Sequence, residues 1–246
     1  MAVRVPALVT LVLSLFPGIG LLDMAFEEEG FCVVRGPDLL WGGDIRKFHP
    51  PAGKFDGVIG GPPCQRFSPL AQASRAGLQP LADDLIPEFE RVVGEARPAW
   101  FVMENVEAAP LPLVRGYYRD RMILNNRWLG EEQNRVRSFT WGSLEDMTGR
   151  SPWLTVETAA LLNPVVAPCV TANGTQWERG KGKQGGRSRS DRSVKALVNY
   201  VRWQGLPPDF LADSPFTVEG KVRVIGNGVP LPMGRAIARA VKRALA

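Results

Sequence analysis

Val9-Thr-Leu-Val-Leu-Ser-Leu-Phe-Pro-Gly-Ile-Gly20 decides how this chain is read. The apolar run from Val9 to Phe16, rich in Val and Leu and broken by Pro17-Gly18, has the pattern of a central parallel strand buried on both faces. It is too short to span a membrane. It also lacks the basic region and cleavage site of a signal peptide. Gly18 and Gly20 permit close backbone approach, and the residues from Leu21 to about Glu29 read as a helix whose electropositive amino end meets the turn. Strand, glycine turn and helix form a nucleotide-type cradle, although a glycine pair alone fits a ligand-free tight turn equally well.

Outward from this cradle, Phe31-Cys-Val-Val-Arg35 predicts a second short strand ending near Asp38, 22 residues after Phe16. A carboxylate at about that distance is placed to hold a ribose hydroxyl. Gly43-Asp44-Ile45 reads as a possible third strand end. A further strand, Phe55 to Ile59, delivers Gly60-Gly-Pro-Pro-Cys-Gln-Arg-Phe-Ser68. This puts the Cys64 thiol on a Pro-rich turn at a strand's carboxyl end, where ligands collect in open α/β sheets. A thiol there suits a nucleophile better than a small apolar filler. Residues 81–96 predict a helix with Leu81, Leu85, Phe89 and Val92/Val93 on one face, ended by Pro98. Ala99-Trp-Phe-Val-Met-Glu104 predicts a buried strand. Its terminal carboxylate is either a cap or ion-pair partner, or an acid whose pKa burial raises. Arg135 and Arg137 alternate along a predicted strand and share one face, which requires an anion nearby.

The chain has 246 residues and a formal net charge of +5, with a sequence pI of about 9.4. That length holds one sizeable α/β domain and a small second lobe, and the charge suits a polyanionic partner. Cys32, Cys64 and Cys169 have no paired spacing, so neither a disulfide framework nor a zinc site is expected, and a reducing cytoplasm is the simplest location. The single histidine, His49, lies beside Pro50-Pro51 and reads as a loop residue; any activation of Cys64 falls to other groups. Residues 173–195 are rich in Gly, Ser and basic side chains. Arg179, Lys181, Lys183, Arg187 and Arg189 there read as contacts to nucleic-acid phosphates, or more blandly as a solvated linker. At the far end Ile237, Val241 and Leu245 recur at helical spacing and predict a helix packed on the core.

Together these segments resemble, in order across nearly the whole chain, the DNA (cytosine-5)-methyltransferase family. Phe16-Pro-Gly-Ile-Gly20 resembles its first cofactor motif, and Gly60 to Ser68 its Pro-Cys-Gln nucleophile loop. Glu104-Asn-Val106 and Gln133-Asn-Arg-Val-Arg137 resemble its Glu-Asn-Val and Gln-x-Arg-x-Arg motifs. Val201-Arg-Trp-Gln-Gly-Leu-Pro-Pro208 and Gly226-Asn-Gly-Val-Pro230 resemble its closing motifs. The resemblance implies an α/β fold: a Rossmann-like S-adenosylmethionine-dependent methyltransferase sheet with helices on both faces and a small, reduced target-recognition lobe. It implies a catalytic domain over 1–141, a reduced recognition region and basic loop over 142–195, and a segment returning to the catalytic domain over 196–246.

By the same resemblance Cys64 attacks C6 of a flipped cytosine, Glu104 holds and protonates N3, Arg137 binds the O2 side and orients Glu104, and Arg135 supports it. S-adenosylmethionine would be held by Phe16, Gly18, Ile19, Gly20, Asp38, Asp44, Ile45, Pro63, Asn227 and Val229. Gln65, Arg66 and Ser68 would meet the flipped nucleotide or its phosphates. No metal is implied. The partner is double-stranded DNA, bound by a monomer. The small size suggests an orphan enzyme of phage or prophage type.

Leu21 and Gly228 stand where the family has a glycine and a serine. Only five residues separate Asp38 from Asp44, whereas a crossover helix needs at least about 10–12; the helix between the second and third strands is expected to be missing. The stretch for target recognition shrinks to roughly 142–167, ahead of Pro168-Cys-Val-Thr171. A methyltransferase acting on tRNA, or a DNA-binding relative without activity, remains an alternative; Cys64, Glu104, Arg135 and Arg137 together speak against the second.

Overall fold

A computed structural model of the chain describes residues 10–67, 83–144, 154–172, 174 and 193–246. The apolar run becomes β1 (Leu11–Leu15), the glycine turn follows, and α1 spans Leu21–Glu28. β2 (Cys32–Arg35), β3 (Gly57–Gly60) and β4 (Trp100–Asn105) follow as parallel strands, with α2 (Ile86–Ala96) before β4. β5 (Tyr117–Asn125) and β6 (Val136–Leu144) close a six-stranded sheet of order β2-β1-β3-β4-β6-β5. β6 runs antiparallel to both β4 and β5. Three helices finish the chain: α3 (Val194–Trp203), α4 (Val218–Asn227) and α5 (Leu231–Leu245).

Period-two alternation sorts the strands onto two faces. Val12, Ile59, Trp100, Val102 and Trp141 pack with Phe26 of α1 and with Met233, Ile237 and Val241 of α5. Leu13, Leu15, Val58, Phe101 and Met103 pack with Phe89, Val92 and Val93 of α2 on the other face. Helices therefore cover both faces, as expected. A third cluster joins Leu21 and Ala25 of α1 to Val170, Tyr200, Val201 and Ile225, so α3 and α4 pack beside the cradle.

Two glycines fix the fit between strands. Gly57 lies opposite Trp100, and Gly142 opposite Phe101. A methyl added at Gly142 would lie 2.0 Å from the Phe101 ring. Gly142→Ala should therefore destabilise by about 1–3 kcal/mol or more through overpacking, read as a lower urea midpoint at unchanged slope.

Gly43-Asp44-Ile45 is not a strand end. Asp38 and Asp44 each cap a short 3-10 turn, Leu39–Trp41 and Ile45–Lys47, accepting from the backbone N–H of Leu40 and Arg46. The expected absence of a crossover helix holds: these two turns carry the chain from β2 to β3, and β2 is left as the sheet's edge. The predicted helix at 81–96 begins at Ile86, because Asp83 to Leu85 are not helical and 81–82 lie outside the described residues. β5, α3 and α4 had no counterpart in the sequence reading.

Candidate active site

The carboxyl ends of β1, β3 and β4 open into one cleft of about 270 Å³. The glycine turn forms its floor. Phe16 takes a left-handed backbone (φ 55), Gly18 follows at φ 56, and a Cβ at Gly18 would meet nothing within 4 Å. A non-glycine residue in that region marks a backbone held by its surroundings. Asp38 supplies part of the hold: one carboxylate oxygen accepts from the Gly18 N–H at 2.8 Å, while the Trp41 indole donates to the Gly18 carbonyl at 2.7 Å. Arg91 of α2 fixes the next wall by donating to the carbonyls of Ile45 and Phe48.

The cleft wall contains Phe16, Gly18, Ile19, Asp38, Asp44 and Ile45, and opposite them Pro63, Asn227 and Val229. Gly20 is not on the wall. It caps α1 at φ 79 from behind the turn, where the Arg35 guanidinium packs against it. The cradle fits an adenosine-type ligand chemically: an empty face over the glycine turn, a helix amino end, a carboxylate for ribose hydroxyls and apolar walls.

At the β4 end the wall contains Cys64, Gln65, Glu104 and Arg137. Glu104 and Arg137 lie diagonally across the β4–β6 ladder and form an ion pair, Arg137 Nε to Glu104 Oε1, at 3.0 Å. A Cβ at Gly61 would sit 3.0 Å from the other Glu104 oxygen, so a side chain there would press on the carboxylate. Asn105 holds that loop by donating to the Pro62 carbonyl at 3.2 Å. Burial pushes the Glu104 carboxyl up, opposed by Arg137 and Arg135. Burial also pushes the Cys64 thiol up; Glu104 adds to this, and Arg137 and Arg135 oppose it. Both causes favour the thiol form of Cys64, and neutralising Glu104 would help ionise it.

Arg135 is fully buried, and its charge is directed away from the cleft, onto backbone carbonyls. Of the expected catalytic set it is the one residue off the wall. Arg66 is exposed on the turn after Cys64. Ser68, Arg179, Lys181, Lys183, Arg187 and Arg189 lie outside the described residues. His49 pairs with Glu95 of α2 at 3.0 Å and does not line the cleft.

The sequence reading missed Asp23. This wholly buried carboxylate on the cleft side of α1 accepts from Ser14 at 2.5 Å and from Arg35 at 3.0 Å. Burial raises its pKa, against Ser14 and Arg35. A carboxyl raised on folding binds more protons in the folded state. Its stabilising share is complete below the ordinary carboxylate range and is lost as pH rises through the raised value. Asp23→Asn should therefore flatten the fall of thermal stability as pH rises above the ordinary carboxylate range, measured as Tm against pH. An unchanged profile would count against the buried carboxyl as its source.

Among the described residues no helix is long and apolar enough to cross a membrane, and no group of His, Cys, Asp or Glu is arranged to hold a metal ion.

A largely parallel sheet with an antiparallel β6, helices on both faces and a cleft at the strand carboxyl ends is a fold that this chain shares with solved methyltransferases. The Entamoeba histolytica methyltransferase EhMeth superposes with a TM-score of 0.66 at 14% identity, over 98% of this chain and 100% of that one. The model of C-5 cytosine-specific DNA methylases matches residues 41–110, which contain Cys64 and Glu104. The orphan methyltransferase M.SPRI of Bacillus phage SPR is 28% identical over 175 residues, 58% of this chain and 39% of its own length. The type II methyltransferase M.NgoPII of Neisseria gonorrhoeae is 31% identical over 146 residues, 52% and 38% respectively. The chain is similar to the C-5 cytosine-specific DNA methylases over residues 41–110. It spans about two fifths of the length of these two relatives.

Proposed function

We propose that this chain is an S-adenosylmethionine-dependent DNA (cytosine-5)-methyltransferase. The observation that carries this reading is the Glu104–Arg137 pair at 3.0 Å, set in one cleft with the Cys64 thiol. Cytosine C5 is a weak nucleophile, and its ring must leave the duplex stack to be reached. Attack of the Cys64 thiolate on C6 makes C5 enamine-like. Glu104 in its protonated form holds N3 and gives it that proton, which draws electrons from C6. Arg137, locked to Glu104, faces the O2 side. S-adenosylmethionine, when bound, supplies the methyl group; Phe16, Ile19 and Asp38 would hold its adenosine side, and Pro63, Asn227 and Val229 its methionine side. Loss of the C5 proton to water then allows elimination of the Cys64 thiolate. This route uses no histidine and no metal.

Duplex DNA is the proposed partner, bound by a monomer, with Gln65 and Arg66 at the cleft mouth. Residues 142–195 are the proposed recognition region and basic loop, between a catalytic domain over 1–141 and the returning segment over 196–246. So small a region offers few base-edge contacts in the major groove. Sequence specificity should therefore be short or relaxed, with phosphate contacts carrying much of the affinity. Methylation profiling of DNA from expressing cells that reveals a strict site of about five base pairs or more would contradict this.

The direct test supplies tritiated S-adenosylmethionine with unmodified duplex DNA in one reaction and tRNA in another. Label recovered as 5-methylcytosine in DNA supports the reading. Label in tRNA alone moves the substrate to RNA, and none in either leaves a binder.

A further inference from the structure

Arg135 raises a question that the chemistry at Cys64 does not answer. A buried cation normally meets a carboxylate, yet this guanidinium donates to the carbonyls of Val170, Gly226 (3.0 Å) and Gly228 (2.9 Å) and to the Cys169 sulfur (3.6 Å). Gly226 and Gly228 sit where α4 ends, and the residue between them, Asn227, lines the cleft together with Val229. The last carbonyls of a helix lack partners within it and carry its negative end. Arg135 thus caps α4 from another part of the fold. Gln204 completes the cap, donating to the carbonyls of Ile225 and Gly228. Gln133 joins Gln204 to the Val170 N–H, closing a buried loop of contacts. The fit is tight: a Cβ at Gly226 would lie 2.0 Å from the Thr171 carbonyl oxygen.

We propose that Arg135 is a positioning residue that never touches the substrate. It fixes the bend presenting Asn227 and Val229 to the cofactor cleft and ties that bend to Val170. Occupancy of the cleft is thereby linked to DNA affinity. This rests on the methyltransferase reading. The planar fork is essential because one guanidinium must serve carbonyls from two segments; an ammonium keeps the charge but not the reach.

The experiment titrates S-adenosylhomocysteine into wild type, Arg135→Lys and Gln204→Met by calorimetry, and measures binding of a duplex oligonucleotide with and without that ligand. Thermal melts establish folding. Arg135→Lys should weaken S-adenosylhomocysteine binding about 10-fold or more, the equivalent of one charge-assisted hydrogen bond. The ratio of DNA affinities with and without the ligand should fall toward one, since coupling between sites is reciprocal. In turnover, KM for S-adenosylmethionine should rise by a larger factor than kcat falls. Gln204→Met, which removes the side-chain donor to the Ile225 carbonyl and one of the two donors to Gly228 without altering charge, should act in the same direction and carries the test if Arg135→Lys does not fold. Folded variants with wild-type ligand affinity, or a fall confined to kcat, overturn the positioning role alone. A folded wild type that does not bind S-adenosylhomocysteine overturns the methyltransferase reading with it.

Discussion

Cys64→Ala should abolish methyl transfer to DNA, by at least about 10⁴-fold, because no other group in the cleft can form the bond to C6. Cofactor affinity should survive, since the glycine turn, Asp38 and the Asn227 bend are built without the thiol. Cys64→Ser should fail almost as completely, because an alkoxide is harder to form than a thiolate in a site that already raises the thiol's pKa. The same environment gives a sign to the pH dependence. Burial and Glu104 push the Cys64 thiol up, so alkylation by iodoacetamide should accelerate with a midpoint above that of an ordinary cysteine. In Glu104→Gln that midpoint should move down, because one of the two causes is gone. A midpoint that stays put would show that Glu104 does not act on the thiol.

The second large effect is on Glu104 itself. Glu104→Gln should lower kcat about 10²- to 10⁴-fold, the range for removing a positioned acid, with cofactor KM little changed. An amide still reaches N3 by hydrogen bond but cannot give it a proton, and it releases Arg137 from its 3.0 Å partner. Activity within a few-fold of wild type would remove Glu104 from the acid role.

The centre of the fold was legible because its signals are local. An apolar run ending at Pro17-Gly18 can only be a buried strand, and the face Leu85, Phe89, Val92, Val93 can only be one side of a helix. Cys64, Glu104 and Arg137 were legible for a different reason: Cys64 follows β3, Glu104 lies near the end of β4 and Arg137 near the start of the antiparallel β6, so strand ends alone bring them to one cleft. β5 was missed because Arg119, Asp120 and Arg121 interrupt its apolar pattern; two of them serve backbone carbonyls of the loop after β4. The third strand suggested at Asp44 failed because Asp44 uses its carboxylate on the backbone N–H of Arg46, a local bond that favours a turn over a ladder. Asp23 was hidden by helical spacing, which placed it among Leu21, Leu22 and Ala25 without revealing Ser14 below it or Arg35 beside it. Arg135 was identified, but its destination was not: alternation with Arg137 gives a shared face, not where a long side chain ends.

α5 also bears on the timing of folding. Met233, Ile237 and Val241 fill the same core as Val12 of β1, although more than two hundred residues separate them. During translation β1 emerges more than two hundred residues before its partner on α5. Until then its apolar side is open to chaperones, to neighbouring nascent chains or to degradation. Asn227 and Val229 of the cleft wall emerge just ahead of α5, so on the proposed reading a nascent chain can bind no cofactor until it can also complete this core. Folding and competence for chemistry are thereby joined in a single late event.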